Sequence, residues 1–394
     1  IFVLNAGSSS LKYQLIDIKS KELKASGLVE RIGIDGILKH EIGENKKLTF
    51  ELPIPTHKEA IELVLRILTN NETKVINSID EIKAIGHRVV HGGEYFKGSA
   101  IVDDEVIRKI EELIPLAPLH NPANILGVKI CKDLMPKVPN VVTFDTAFHQ
   151  TMPMENFLYA VPYADYTEHH LRKYGFHGTS HYYVSQEAIK LLNKKDSKVI
   201  VCHLGNGSSV CAVKDGKSIS TSMGLTPLEG LVMGTRSGDI DAGVIPYLME
   251  KKGLNHIQIL DYLNKKSGIL GVSGVSSDLR EVIKAANDGD KRSKIAITML
   301  CDRIKKYLCS YAGLMHGVDA ICFTAGIGEN SDLIREKVCE GLEFMGIEID
   351  KDKNSKREKG NREINTKNSK TKIFVIPTNE ELVIATDTYN LLKK

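Results

Sequence analysis

Apolar and polar residues follow two different periods along this chain, one typical of strands and the other typical of helices. Apolar or β-branched runs at VVTF (141–144), KVIVCHL (198–204), DAICFTAG (319–326) and KIFVIPT (372–378) predict strands. Apolar residues at helical spacing predict helices over 56–68, 103–114 and 295–315, and the second of these should stop at Pro115. The alternation of the two element types predicts an α/β fold.

One pattern occurs twice. VLNAGSSSLKYQLID (3–17) and IVCHLGNGSSVCAVKDG (200–216) each contain an apolar run, a Gly-Ser-Ser turn and a second alternating strand. The chain is therefore expected to contain one supersecondary unit in two copies. The tip of each hairpin would present backbone N–H groups and hydroxyls, which suit an anionic ligand. The alternative is that Gly-Ser-Ser only marks a hairpin turn.

Two other segments resemble nucleotide-binding signatures incompletely. DGKS (215–218) has Cys211 where a P-loop requires its first glycine, so it is interpreted as an Asp-Gly hairpin turn. GIGENS (326–331) has Ser331 in place of the last glycine of a dinucleotide fingerprint. Because this Gly-rich turn follows a strand and precedes a helix expected near Ser331, a phosphate or ribose could bind there.

Composition restricts the class of protein further. A chain of 394 residues is too long for one core and predicts two domains. The net charge of +3 does not suggest a nucleic-acid or membrane partner, and neither a membrane-spanning run nor a signal peptide is recognisable. The seven cysteines lack zinc-site spacing, so we expect a cytoplasmic protein with small-molecule chemistry. The charged segment 351–370 is interpreted as a solvated excursion rather than as a binding arm, and no function is assigned to it.

Motifs distributed over the whole chain resemble those of the acetate kinase family. They are NAGSSSLKYQ (5–14), GHRVVHGG (86–93), APLHNP (117–122), FDTAFH (144–149), YGFHGTSH (174–181), HLGNGSS (203–209), GLTPLEGLVMGTRSGDID (224–241), FTAGIGEN (323–330) and PTNEEL (377–382). The resemblance implies two ribonuclease-H-like domains of the actin-like ATPase fold that flank a nucleotide cleft. An acetate and metal domain would comprise 1–148 and 379–394, and a nucleotide domain 149–378.

The resemblance also implies an activity, the reversible Mg²⁺-dependent transfer of the ATP γ-phosphoryl group to acetate, which gives acetyl phosphate and ADP. Mn²⁺ would substitute for Mg²⁺, and the protein would be a homodimer. The implied catalytic residues are Arg88, Asp145, His177 and Arg236. The implied acetate-binding residues are Arg88, Val90, Leu119, His120, Phe176 and Pro227. The implied metal ligands are Asn5 and Glu380. The implied nucleotide-binding residues are Lys12, His203, Leu204, Gly205, Asn206, Gly207, Asp278, Leu279, Arg280, Gly326, Ile327, Gly328, Glu329 and Asn330.

The chemistry of the reaction gives independent reasons for several of these roles. Phosphoryl transfer to a carboxylate joins two anions, and a guanidinium matches carboxylate or phosphoryl oxygens with two parallel N–H bonds. Arg88 and Arg236 therefore suit the site. Acetate is already ionised at neutral pH, so Asp145 is expected to orient an arginine or a metal-bound water rather than to act as a base. Thr378 and Glu381 have capping-box spacing, which would leave Glu380 available for a metal.

Three other functions are considered. A chaperone-like ATPase would share the fold, but the two kinase domains leave no residues for a peptide-binding module. An acyl-phosphate hydrolase would need an activated water where Arg88 and an apolar wall instead favour a carboxylate. Propionate kinases would share every motif quoted above, so propionate remains the alternative acceptor.

Overall fold

Strands and helices alternate along the computed structural model, which describes residues 1–43 and 46–393. The predicted α/β class is confirmed, and each of the four predicted strands is present. The strands are β1 (Phe2–Ala6), β2 (Leu11–Asp17), β3 (Glu22–Glu30), β4 (Ile37–Ile42), β5 (Lys46–Glu51), β6 (Ile85–Val89), β7 (Ala100–Ile101), β8 (Asn140–Phe144), β9 (Lys198–Leu204), β10 (Ser208–Lys214), β11 (Lys217–Thr221), β12 (Ala320–Thr324), β13 (Arg362–Glu363) and β14 (Lys372–Val375).

The three predicted helices are also present, as α1, α2 and α11. The α-helices are α1 (His57–Thr69), α2 (Asp104–Glu112), α3 (Asn121–Leu134), α4 (Met154–Phe157), α5 (Tyr163–His169), α6 (Gly178–Leu192), α7 (Val244–Lys252), α8 (His256–Lys265), α9 (Gly268–Ser273), α10 (Leu279–Asn287), α11 (Lys291–Met315), α12 (Ala325–Asn330), α13 (Asp332–Cys339), α14 (Lys351–Ser355) and α15 (Glu380–Leu392). Short 3₁₀ helices occur at Ile79–Glu81, Ile114–Leu116, Ala147–Thr151 and Glu343–Met345.

The chain divides into two compact units. Unit 1 comprises Ile1–Phe148 and Asn379–Lys394, and unit 2 comprises His149–Thr378. The sheet of unit 1 has the order β5-β4-β3-β2-β1-β6-β8-β7, in which β1, β6 and β8 are parallel. Helices α1 and α3 pack against each other beside this sheet, and α15 packs against β1, β6 and β8. The amino end of α15 is thereby fixed beside the parallel strands.

Unit 2 repeats this arrangement. Its sheet has the order β11-β10-β9-β12-β14-β13, in which β9, β12 and β14 are parallel. The antiparallel hairpin of β9 and β10 occupies the same place in this sheet as the hairpin of β1 and β2 in unit 1. The 25-residue helix α11 packs against β9 and β10, so its long apolar face is buried in the core of unit 2. The repeat that the sequence predicts is therefore present as two hairpins.

Two local predictions need correction. The helix predicted over 103–114 ends as an α-helix at Glu112, and a 3₁₀ turn then continues through Pro115, because proline is tolerated in the first turn of a helix. The Gly-rich segment 325–330 forms the short helix α12 instead of an open turn. Ser331 then caps α13, as expected. The DGKS segment does form the turn between β10 and β11.

The charged segment 351–370 is more ordered than predicted. It contributes α14 and β13, and the side chain of Asn354 is buried. The Arg335 guanidinium donates to Asn354 Oδ1 at 2.7 Å and to its carbonyl oxygen at 2.8 Å, which anchors the segment to α13. Most side chains of the segment are exposed, as predicted, but Asn354, Ile364 and Asn365 are buried and attach it to unit 2. Separately, no helix among the described residues is long and apolar enough to cross a membrane.

Candidate active site

The ends of two parallel strands in unit 1 bring Arg88 and Asp145 together. Arg88 lies on β6, and Asp145 directly follows the neighbouring strand β8. The guanidinium donates Nε to Oδ1 at 2.9 Å and Nη2 to Oδ2 at 2.6 Å. The Asp145 side chain is 2% exposed, whereas the Arg88 side chain is 26% exposed. Asp145 thus holds one edge of the guanidinium, and part of Arg88 remains accessible to a ligand.

The Arg88 charge is stabilised by its neighbours. Burial by itself lowers the pKa of Arg88, but the carboxylates of Asp145, Glu380 and Glu381 outweigh burial and raise that pKa above its usual value. The guanidinium is therefore charged at every physiological pH, as binding of a carboxylate requires.

The start of α15 differs from the expected capping box. Asn379 is the N-cap, and its Oδ1 accepts from the Leu382 N–H at 3.1 Å. The predicted Thr378/Glu381 capping box is therefore wrong, because Asn379 takes the capping position and Glu381 forms an ion pair with Lys12. Glu380 therefore takes no part in the cap and is available for a metal, as predicted. The reason is that Asn379 caps the helix, and not that Thr378 and Glu381 form a capping box.

Glu380 lies among four charged groups. Burial raises its pKa to about 7, Asp145 and Glu381 act in the same direction, and Arg88 and Lys12 oppose them. A carboxylate held in this way would gain from a nearby cation.

Asn5 stands on β1, directly opposite Lys12 on β2. Among the described residues, no group of three or more His, Cys, Asp or Glu side chains could hold a metal ion. Mg²⁺, however, usually keeps several waters and binds only one or two protein carboxylates together with substrate phosphates. The Asn5 amide oxygen and the Glu380 carboxylate fit that donor set.

The acetate-binding residues predicted in unit 1 have contrasting environments. Val90 is 6% exposed, and its backbone N–H donates to Asn124 Oδ1 at 3.0 Å. Leu119 is 69% exposed, and His120 follows it at the N-cap of α3. Within unit 1, therefore, Val90 belongs to packed structure and Leu119 does not.

Unit 2 brings His177, Arg236 and Gly207 together. A Cβ placed on Gly207 would lie 3.4 Å from Arg236 Nη1 and 3.7 Å from His177 Nε2. Arg236 Nη1 also donates to the Pro227 carbonyl at 3.3 Å. A glycine at 207 thus leaves room where a guanidinium nitrogen and an imidazole nitrogen converge. Burial lowers the pKa of Arg236.

The other predicted residues near this point are buried. The His203 ring stacks on His177 with centroids 4.1 Å apart, and Phe176 is 2% exposed. The Phe176 carbonyl is 2.9 Å from His149 Nε2.

A cavity of about 860 Å³ lies within unit 2, and its size suits a nucleotide. Asp278 caps α10, and hydrogen bonds from Arg280 lower its pKa to about 2. The predicted nucleotide-binding residues that line the cavity are Gly205, Asn206, Asp278, Leu279, Arg280, Gly326, Ile327 and Asn330. The lining does not include His203, Leu204, Gly207, Gly328 or Glu329, and Lys12 belongs to unit 1.

Sequence reasoning missed part of this lining, namely Ser277, Ile283, Ser331, Asp332, Leu333 and Arg357. Ile283 could have been found, because it lies one helical turn after Leu279 on α10. Arg357 belongs to the charged segment to which no function was assigned, and no local signal distinguishes it from the other basic residues there.

The two matching sheets and the nucleotide-sized cavity define an α/β protein of the actin-like ATPase fold. A model of the Acetokinase family matches residues 1–386. The chain belongs to the acetokinase family, as the motifs predicted. It is 55% identical to the acetate kinase of Treponema denticola and 56% identical to that of Fusobacterium nucleatum subsp. nucleatum, in both cases over 100% of each chain.

Solved structures agree with this assignment. The protein in the crystal structure of Porphyromonas gingivalis acetate kinase has 48% sequence identity to this chain, and the two structures superpose with a TM-score of 0.95 over 99% of both chains. The crystal structure of a propionate kinase from Francisella tularensis subsp. tularensis shows a protein that is 45% identical, with a TM-score of 0.93 over 99% of this chain and 98% of the other. The predicted fold class is confirmed by these two likenesses.

We expect Glu380→Gln to stabilise the metal-free protein at alkaline pH. Because the folded state holds the Glu380 proton more tightly than the unfolded chain does, the contribution of this group to stability falls as pH rises from 4.5 to about 7. In chelator, the Tm of the variant should exceed that of wild type on the order of 2 °C at pH 8 and match it near pH 4.5. Thermal scans at both pH values would measure this.

Glu381→Gln is the matched control, because the Glu381 carboxylate already has Lys12 as its partner. This variant should gain less stability at pH 8 than Glu380→Gln does, because losing the ion pair with Lys12 offsets the weaker repulsion of Glu380. A Glu380→Gln protein that is less stable than wild type at pH 8 in chelator would contradict the expected effect of burial on Glu380.

Proposed function

We propose that this protein is an acetate kinase that transfers the γ-phosphoryl group of ATP directly and reversibly to acetate. The observation that carries the proposal is the relationship of the whole chain to acetate kinases at more than half identity. The site adds the chemistry: unit 1 provides a charged, partly accessible guanidinium for a carboxylate, and unit 2 provides converging nitrogen donors and a nucleotide-sized cavity.

The acceptor is bound and oriented in unit 1. Arg88 binds the acetate carboxylate, and Asp145 positions the guanidinium through its two hydrogen bonds. Acetate needs no deprotonation, so Asp145 takes no proton. One acetate oxygen forms a bond to the γ-phosphorus, the bond from that phosphorus to the β,γ-bridging oxygen breaks, and ADP leaves with the electron pair.

The transferring group is stabilised from unit 2. Arg236 and His177 donate to the equatorial oxygens, over which charge spreads during transfer. The adenosine part of ATP occupies the cavity of unit 2, beside Asp278, Arg280 and Ile327.

Asn5 and Glu380 would hold the metal ion, either Mg²⁺ or, as a substitute, Mn²⁺. Such an ion would neutralise phosphate charge. The raised pKa of Glu380 supports this role, because a cation offsets the cost of ionising a partly buried carboxylate beside Asp145 and Glu381.

Three further statements rest on the family resemblance and on the proposed substrates. The protein is cytoplasmic, because ATP is its phosphoryl donor. It forms a homodimer, which sedimentation would test. Propionate is the second candidate acceptor, because a propionate kinase is structurally very similar to the chain.

The direct test incubates the purified protein with Mg-ATP, hydroxylamine and one acid at a time, and measures the acyl hydroxamate and ADP. We expect acetate to be preferred over propionate, and propionate over butyrate, with steps of roughly 10- to 200-fold in kcat/KM for each methylene. ADP and phosphate without hydroxamate would indicate a hydrolase. A preference for propionate would move the assignment to propionate kinase.

Replacing Arg236 with alanine tests the phosphoryl site. We expect Arg236→Ala to lower kcat by about 100-fold or more, because a preorganised charge donor is lost. Arg292→Ala is the matched control, since Arg292 also donates to backbone carbonyls in unit 2. Circular dichroism should show both variants folded. A folded Arg236→Ala protein with wild-type kcat would exclude Arg236 from the reaction.

Replacing Val90 with alanine tests the acceptor side. The Val90 side chain is almost fully buried and lies two residues beyond Arg88. Val90→Ala should lower the acetate-to-propionate ratio of kcat/KM, because it makes room for one methylene. Val128→Ala, at a valine that is also buried in unit 1, should leave the ratio unchanged. An unchanged ratio in Val90→Ala would show that Val90 does not contact the acid.

A further inference from the structure

A single hydroxyl joins two histidines in unit 2. Ser209 Oγ lies 2.9 Å from His177 Nδ1 and 2.7 Å from His181 Nε2. Ser209 and His181 are both 0% exposed. Ser209 is fixed on β10, opposite His203 on β9. Because a hydroxyl has one hydrogen, it can donate to one of these two rings and must accept from the other.

The environment of His181 sets the direction of this chain. Burial lowers the pKa of His181 well below its usual value, so its ring is neutral and carries one hydrogen. Among the described residues, its Nδ1 has no hydrogen-bond partner, whereas its Nε2 reaches Ser209. A buried N–H without an acceptor is rarer than an unmet acceptor. The hydrogen therefore lies on His181 Nε2 and is donated to Ser209 Oγ.

The direction of this first bond determines the second. Ser209 has accepted from His181, so its own hydrogen is donated to His177 Nδ1. The neutral His177 ring then carries its hydrogen on Nε2. His177 Nε2 and Arg236 Nη1 both border the space that a side chain at Gly207 would fill. The opposite tautomer would present a lone pair at this point, which would repel an anionic oxygen.

We propose that Ser209 and His181 are positioning residues that hold His177 as the Nε2–H tautomer, so that this N–H donates to an oxygen of the transferring phosphoryl group beside Arg236. The proposal rests on the proposed function only for the identity of that group. Neither residue exchanges a proton with substrate. Their effect is to fix which nitrogen of His177 is a donor before substrate binds.

The tautomer can be read without any activity measurement. Long-range ¹H–¹⁵N correlation spectra of protein labelled with ¹⁵N-histidine distinguish a protonated ring nitrogen from an unprotonated one, and His177→Gln assigns the signals. We expect wild-type His177 to be protonated on Nε2 and unprotonated on Nδ1 above its pKa. A wild-type His177 with the hydrogen on Nδ1 would overturn the proposal.

Kinetics test the consequence for catalysis. Ser209→Ala should lower kcat roughly 10- to 100-fold, the scale of losing a group that orients a functional histidine, with the KM for ATP and acetate near wild type. Ser222→Ala is the matched control, because Ser222 is equally buried in unit 2 and, among the residues that the structure describes, its hydroxyl accepts from the backbone N–H of Val210 and forms no hydrogen bond with a histidine. The kcat of Ser222→Ala should equal that of the wild-type protein. An unchanged kcat in Ser209→Ala would overturn the positioning role.

Two substitutions of His181 separate hydrogen bonding from packing. The amide nitrogen of His181→Gln can stand near the lost Nε2 and donate to Ser209, whereas His181→Asn is too short to do so. We expect the glutamine variant to keep most of kcat and the asparagine variant to lose as much as Ser209→Ala. Equal losses in both folded variants would contradict the proposed donor. Inactive wild-type protein with the Nε2–H tautomer would refute the kinase assignment and leave the tautomer supported.

Discussion

The ion pair between Arg88 and Asp145 is the constraint on which the acceptor side of the site depends. A guanidinium on a flexible side chain is a poor receptor for a small carboxylate, because ordering it costs conformational entropy. The two hydrogen bonds from Arg88 to Asp145 meet that cost before any ligand binds. The pair exists because β6 and β8 are parallel neighbours, so the ends of both strands lie at the same edge of the sheet.

The same pair determines what can stand next to it. Asp145, Glu380 and Glu381 are three acidic groups, while Arg88 and Lys12 supply two positive charges. Desolvation of the partly buried Glu380 carboxylate is the largest effect, and repulsion by Asp145 and Glu381 adds to it, so the pKa of Glu380 rises to about 7. Burial of unbalanced charge is costly and persists where function requires it. A divalent cation would complete the charge balance of this cluster.

Much of the fold could be predicted from the sequence, because its signals are local. The run 198–204 forms β9 with the predicted bounds, since a continuous apolar run suits a strand with both faces covered. The repeated Gly-Ser-Ser hairpins follow from turn residues between two alternating runs. In the candidate site, motif resemblance led to His177, Arg236 and Gly207, which the structure brings together.

The features that were missed depend on contacts distant in sequence. The Ser209 hydroxyl contacts His181 and His177, which lie 28 and 32 positions away in the sequence. Arg357 lines the cavity from a segment in which charged residues are common, so its composition gives no sign of that position.

The most direct test of this arrangement is a double-mutant cycle on kcat/KM for acetate, with Arg88→Ala, Asp145→Asn and the combined variant. If Asp145 acts only by holding Arg88, the double variant should lose no more kcat/KM than Arg88→Ala alone. Once the guanidinium is removed, Asp145 has nothing left to orient. The loss in Asp145→Asn should also be the same at every pH at which acetate is ionised. Two results would show that Asp145 acts on the substrate independently of Arg88. One is that the two losses of kcat/KM add in the double variant. The other is a pH dependence of kcat/KM in the wild type that is absent from Asp145→Asn.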